Sequence, residues 1–358
     1  MVEWLAGNRI RGTNAERTTT TGFNPVAAVS GGWKELTRVT LGSTSTSMTT
    51  PTFTNKRYYK VLVHGIQSSG SVETGLGING IIGGAPYASR LSVDGGTERT
   101  AINTNYIADG WFSDPNEYIS EINIANVAGK EKLIIGHTAG ANTAGAGTAP
   151  KRMEWVGKFV PSPDVDVSSI IITGSGTFAV GSEIVVLGWD PADTHTDNFW
   201  EELASVELSS ASDTLSSGTI TAKKYLWVQT YVKATGGTVE PDSRFNGDSG
   251  GNYADRYSIN GGSDGTGTSL TTGVRGLGCP YRAFFNDFII NNASNEKLVI
   301  RHAIYPPTSG SGSAPSRRET VGKWANTSNQ ITSIDWTDQS GGSAQMDTGS
   351  IIKVWGSD

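Results

Sequence analysis

The sequence predicts an all-β protein: two tandem antiparallel β-sandwich, jelly-roll-like domains preceded by an extended N-terminal arm. Three observations predict it. The chain repeats itself once, its apolar residues alternate with a period of two, and its composition is that of a turn-rich β protein. Gly accounts for 46 of 358 residues and charged residues for 17%. Long Ala/Glu/Lys/Leu runs of the helical kind are missing.

The repeat sets the domain count. Glu131-Lys132-Leu133-Ile134-Ile135-Gly136-His137 is matched by Glu296-Lys297-Leu298-Val299-Ile300-Arg301-His302. Lys151-Arg152-Met153-Glu154-Trp155-Val156-Gly157-Lys158 is matched by Ser316-Arg317-Arg318-Glu319-Thr320-Val321-Gly322-Lys323. Trp33 pairs with Trp200, Lys56-Arg57-Tyr58 with Lys223-Lys224-Tyr225, and Gly181-Ser182-Glu183-Ile184 with Gly349-Ser350-Ile351-Ile352. The offset drifts by a residue or two, as loop insertions between matched strands would make it. The divisions that follow are an arm over 1–32, a first sandwich over 33–190, a linker over 191–199 and a second sandwich over 200–358.

Within each copy the period is that of half-buried strands. Tyr59, Val61 and Val63 point one way, with Lys60 and His64 opposite. Leu226, Val228 and Thr230 share an inner face, with Trp227, Gln229 and Tyr231 opposite. Leu133, Ile135 and His137 alternate likewise, as do Leu298, Ile300 and His302. Ile184 and Val186, and Ile352 and Val354, point inward on the closing strands. About eight to ten short strands per copy are expected, packed as two face-to-face sheets. Phe199 to Leu203 is the one place where a helical turn is expected.

The arm carries a Trp4-Leu5 hook with Arg9 and Arg11. It is too polar to build a core and reads as a covering or assembly segment. The N-terminus holds an acid, Glu3, and no apolar core, so no signal peptide is expected. No stretch is apolar for long enough to span a membrane. The net charge of −6 argues against a nucleic-acid partner. A single cysteine, Cys279, excludes an intrachain disulfide and reads as a buried apolar residue.

Several patterns invite a chemical reading. Gly247-Asp248-Ser249-Gly250-Gly251 spells the surroundings of a serine-protease nucleophile, and His64, Asp94 and Ser249 follow in the matching chain order. The first copy has Asn79-Gly80-Ile81-Ile82-Gly83-Gly84 there, so a turn explains both copies. Asp248, Asn252 and Asp255 are weak Ca²⁺ candidates without counterparts in the first copy, so no metal or other cofactor is expected. His137 and His302 each stand without a second ligand nearby and read as satisfied strand-end residues. Arg152/Glu154 and Arg317/Glu319 each lie two apart on one strand face and read as members of a cross-strand ion-pair ladder. Trp227, Tyr231 and Trp355 lie opposite the presumed core and suit either a glycan or a protein interface. The first copy has Lys60, His64 and Leu187 there, which assigns any aromatic site to the second domain alone.

The Asn-Gly-Asp-Ser-Gly-x-Asn-Tyr segment, the Glu-Lys-Leu-x-Ile-x-His strand, the Arg-x-Glu-x-Val-Gly-Lys strand and the closing Gly-Ser-x-Ile-x-Val-x-Gly resemble β-domains of tailed-phage virion proteins, notably marine ones. Glu3 to Thr13 is similar to their N-terminal arm. The resemblance covers nearly the whole chain. It implies a non-enzymatic virion component: a decoration, fibre, appendage or capsid subunit, meeting other virion proteins in the particle. It carries over no catalytic residue. Homo-oligomerisation is expected, with a trimer as the form such sandwiches commonly take. The alternative is a carbohydrate-binding adhesin that meets a host surface glycan.

Overall fold

The computed structural model describes residues 32–358, apart from 70–71, 113–116, 164, 192, 194, 196, 309–310 and 344. The arm residues Trp4, Leu5, Arg9 and Arg11 lie outside the described residues. The described residues form 24 strands and no helix. Numbered along the chain, the first half pairs β1 (Lys34–Thr40), β12 (Glu183–Trp189), β3 (Tyr58–Ser69), β8 (Glu117–Ala125), β9 (Lys132–Gly140), β10 (Lys151–Phe159), β5 (Tyr87–Val93) and β6 (Arg99–Thr104) in that order. Facing this sheet run β2 (Ser45–Thr49), β11 (Ile170–Phe178), β4 (Val72–Ile78) and β7 (Ile107–Phe112). A short β3–β11 pairing joins the two sheets.

The second half repeats this order strand for strand. Its large sheet is β13 (Glu201–Glu207), β24 (Ile351–Ser357), β15 (Tyr225–Lys233), β20 (Arg282–Ile290), β21 (Lys297–Tyr305), β22 (Ser316–Trp324), β17 (Tyr253–Ile259) and β18 (Gly265–Leu270). Its small sheet is β14 (Thr214–Ser216), β23 (Ile334–Asp338), β16 (Pro241–Phe245) and β19 (Val274–Arg275). Each half therefore has twelve strands, more than the eight to ten that alternation alone suggested; the extra ones are short and polar. The expected helical turn is absent, because Glu201 already opens β13 against β24.

The inner faces build two separate cores. Val61, Val63, Ile122, Ile134, Trp155, Ile184 and Val186 pack on Leu76, Ile170 and Ile172. Leu226, Val228, Phe285, Val299, Ile352 and Val354 pack on Phe245, Ile334 and Trp336. The matched glycines of the Val-Gly-Lys motif lie where the sheets come closest. A Cβ on Gly157 would stand 2.5 Å from Ile107 Cδ1, and one on Gly322 2.5 Å from Val274 Cγ1. A methyl group there would force the sheets apart. The matched turns also agree. Asn79 and Asn246 adopt φ of 56° and 52°, each followed by a left-handed glycine, as Asn-Gly turns require. Asn79 Oδ1 accepts from the Ser168 and Ser169 amides, and Asn246 Oδ1 from those of Thr332 and Ser333.

Leu133 and Ile135 differ from the expected pattern. They face away from the core of their sandwich, which takes Ile134 instead, and are 58% and 51% exposed. Their counterparts Leu298 and Ile300 also face outward, yet are buried. The reason is a third apolar cluster between the halves. Leu62, Ile119, Ala139, Val185 and Leu187 of the first half pack on Tyr225, Ile290, Leu298, Ile300 and Val321 of the second. Polar bonds pin the same seam. Lys323 Nζ donates to the carbonyls of Ala141 (3.0 Å) and Thr143 (2.6 Å). Arg256 Nε donates to Pro150 O and the Ser269 amide to Ala146 O. Tyr225 Oη and Lys224 Nζ both donate to Glu183, whose carboxyl, opposed by burial, is held below its usual range by Thr40, Lys224 and Tyr225.

Candidate functional site: a cleft between the halves

The large sheets of the two halves pack outer face to outer face at one end of their strands and part toward the other. Along β9 the outward series runs from fully buried Ala139 through His137 to exposed Ile135 and Leu133. Along β21 it runs from buried Leu298 and Ile300 through His302 to Ile304, 44% exposed. Where the faces begin to part lies a cleft of about 390 Å³. The first half lines it with Trp33, Lys60, Glu121, Asn123 and His137, the second with Trp200, Trp227, Asn286, Phe288 and His302. These ten residues are five matched pairs of the repeat, at offsets of 165 or 167. Both walls are therefore built from equivalent positions of the repeat, and they differ in chemistry. Trp33/Trp200 and His137/His302 are unchanged; Lys60/Trp227, Glu121/Asn286 and Asn123/Phe288 are not.

The first-half wall is a polar network. Lys60, Glu121 and Asn123 sit on the directly opposed strands β3 and β8. Lys60 Nζ donates to Glu121 and to Asn123 Oδ1 (2.9 Å), and Asn123 Nδ2 donates to Glu121 Oε1 (2.8 Å). Burial opposes ionisation of Glu121, but the Lys60 ammonium and the His137 ring together outweigh it and hold the carboxyl well below the usual range. The second-half wall is aromatic. Trp355, Trp227 and Phe288 stand side by side on β24, β15 and β20. Trp227 stacks on Trp355 with centroids 4.8 Å apart and on Phe288 at 6.0 Å, while Trp200 lies tilted against Trp227 and Phe288. Asn286 Oδ1 accepts from Trp227 Nε1 (2.8 Å) and Gln229 Nε2 (3.2 Å). Lys60 bridges the walls, its ammonium 4.6 Å from the Phe288 centroid, in reach of a cation–π attraction.

His137 and His302 close one side of the cleft, edge to face with centroids 4.3 Å apart. Burial, with His137 beside it, pushes the His302 pKa down to about 4. A histidine whose pKa falls on folding contributes its stability fully above the unfolded value near 6.5, and loses it as pH falls toward the folded value. The seam between the halves should therefore weaken between about pH 6.5 and 4, by about 1–3 kcal/mol. His302→Gln should flatten that limb in thermal denaturation followed against pH; parallel profiles for variant and parent would refute the assignment.

The structure sorts the other candidates. Trp227 enters the cleft, Trp355 backs it from the neighbouring strand, and Tyr231 lies outside it on β15. The assignment of an aromatic site to the second domain alone is thus corrected, since five cleft residues come from the first half. Sequence reasoning also missed Trp33, Lys60, Glu121 and Asn123 as site residues. The matching offsets were their available signal. His137 and His302 are neither isolated nor at strand ends: they meet each other. In place of a cross-strand ladder, Arg152 pairs with Glu154 on its own strand and reaches across the seam to Asp264 (2.5 Å).

The Ca²⁺ candidates do not converge. Asp248 accepts from Trp324 Nε1, Asn252 and the Gly250 amide, while buried Asp255 is held by Arg275. Among the described residues no cluster of three metal-ligating side chains occurs. His64 is fully buried against Glu117, Ser249 is exposed, and Asp94 pairs with Lys151 and Arg256. The structure does not bring that triad together. Cys279 is buried in the second core, and burial pushes its thiol up to about 12. Among the described residues no helix is long and apolar enough to cross a membrane.

No family model matches the chain, and no curated protein matches it. Among solved structures, mouse laminin alpha1 chain, domains LG4-5, aligns over 90% of this chain and 92% of its own, with 9% identity and a TM-score of 0.20. Human GIVD cytosolic phospholipase A2 aligns over 76% of this chain and 33% of its own, with 7% identity and a TM-score of 0.10. Likenesses this low carry no argument. The sandwich architecture rests on the strand order itself.

Proposed function

We propose that this chain is a non-enzymatic structural protein of a phage particle: a decoration, fibre, appendage or capsid subunit that assembles through its arm and its sandwich faces. The observation that carries the reading is that the two halves share all twelve strand positions while three of the five matched cleft pairs have changed chemistry. Close-packed glycines and Asn clamps are kept; a paired acid and base are not. The cleft carboxylate is spent on Lys60 and kept ionised, which leaves it unsuited to act as a general acid. The seam that fuses the halves makes a stiff two-sandwich block, as a particle subunit needs. The resemblance of the arm and the repeated motifs to virion proteins supports the same role, with the virion as location and other virion proteins and copies of this chain as partners.

Light scattering on the purified full chain tests it. The parent is expected to form a homo-oligomer, a trimer in the simplest case. Trp4→Ala/Leu5→Ala/Arg9→Ala/Arg11→Ala is expected to shift it toward monomer with unchanged circular dichroism. A parent that stays monomeric at micromolar concentration ends the assembly reading. A second reading, a carbohydrate-binding module, is favoured by the aromatic wall of the cleft.

A further inference from the structure

We infer that the cleft between the halves is a binding site for a neutral saccharide, held between the polar wall of the first half and the aromatic wall of the second. The inference does not depend on whether the chain belongs to a particle. At about 390 Å³ the cleft falls in the range of small-ligand sites. Its two walls differ in character in a way that suits one kind of molecule. A sugar ring presents C–H patches on its faces and hydroxyls around its rim. Indole and phenyl groups match the first; amides, imidazoles and a carboxylate match the second.

The polar groups are held in place before any ligand arrives. Asn286 has its Oδ1 occupied by Trp227 and Gln229, which fixes the amide plane and leaves Nδ2 free of any hydrogen bond among the described residues. Asn123 is fixed in the same way by Lys60 and Glu121. Such fixing lowers the ordering cost of binding. Two cleft residues also carry buried polar atoms without a hydrogen-bond partner among the described residues, His137 Nδ1 and Trp200 Nε1. The carboxylate of Glu121 lies 3.9 Å from His137 Nδ1, too far for a hydrogen bond. A buried unmatched polar atom costs about 1–3 kcal/mol. A hydroxyl entering the cleft would recover part of that cost.

Charge narrows the class. The ammonium of Lys60 and the carboxylate of Glu121 neutralise each other, so the cleft offers no surplus charge to a phosphate, a sialic acid or a cation. The changed pairs tell the same story from the other side. Elsewhere the seam is closed by apolar packing and by polar groups that bond directly across it. At the cleft the changed pairs give one wall Lys, Glu and Asn, and the other Trp, Asn and Phe.

The test uses the full chain. Three of its ten tryptophans, Trp33, Trp200 and Trp227, line the cleft, so binding should change the intrinsic fluorescence. The probes are an array of neutral and sialylated oligosaccharides, followed by titration of the best-bound free oligosaccharide. A neutral glycan is expected to bind. Asn286→Ala and Asn123→Ala should each weaken it about tenfold, or about 1.4 kcal/mol, with the thermal midpoint nearly unchanged. Tyr231→Ala, on the same sheet but outside the cleft, should leave affinity alone. Three results overturn the inference: no neutral glycan binding by the folded parent, binding by sialylated glycans alone, or affinity lost with Tyr231→Ala and kept with Asn286→Ala.

Discussion

Replacing Arg301 with Met is expected to destabilise the second sandwich by about 3–5 kcal/mol. Arg301 is fully buried on the inner face of β21. Its Nε and Nη2 donate to the two carboxylate oxygens of Asp287 at 2.9 and 2.7 Å. The remaining donors go to the Val274 carbonyl (3.0 Å) and Ser243 Oγ (2.6 Å), and the guanidinium lies 4.4 Å from the Trp336 ring centroid. Removing the cation leaves Asp287 buried without its partner, and that stranded charge is the larger part of the cost. Arg301→Met/Asp287→Leu should recover most of the loss, because neither charge is then buried. Urea denaturation at constant m-value would read both. A single variant within about 1 kcal/mol of the parent would show that the pair contributes no more than a surface bridge.

The repeat itself supplies the comparison for this site. In the first half the cross-strand triple Ile122–Gly136–Trp155 occupies the positions of Asp287–Arg301–Thr320. Gly136 has no room for a side chain, since a Cβ there would lie 2.1 Å from Trp155. One half fills the space with an indole, the other with a guanidinium and its counterion. The two solutions cannot be mixed one residue at a time. The Gly136/Arg301 difference was plain in the repeated motif. Its partners were not, because they lie on neighbouring strands whose register the motif does not state.

The same limit explains what else the sequence told and withheld. Period-two alternation identified the inner faces of β3, β12, β15 and β24, because each sandwich must bury one face of every central strand. It could not say whether the other face meets water. Leu133 and Leu298 occupy the same place in the repeat, yet one is exposed and the other is buried against the first half. That difference arises from the seam, which depends on how the halves dock and not on local pattern. The cleft shares this origin. Its residues come from strands far apart in the chain, and what they had in common in the sequence was position in the repeat.

Asp109→Asn is expected to raise stability above neutral pH and to leave it unchanged in acid. Asp109 sits on β7, fully buried in the first half, and among the described residues neither carboxyl oxygen has a hydrogen-bond partner. Thr74 lies close enough to lower its pKa somewhat, but the Thr74 hydroxyl is given to the Gly110 carbonyl. Burial dominates and raises the pKa from 3.8 to about 7. An acid whose pKa rises on folding binds its proton more tightly in the native state. Stability is then greatest below the unfolded value, declines as pH climbs from about 4 to 7, and stays low beyond. Three units correspond to an upper bound of about 4 kcal/mol, less whatever relaxation or water entry returns. Asn matches the shape of the protonated acid and cannot ionise, so this declining limb should vanish from the variant. Chemical denaturation at about pH 4 and pH 8 separates the cases. A variant whose stability falls with pH as steeply as the parent's would mean that Asp109 reaches solvent or a cation when it ionises.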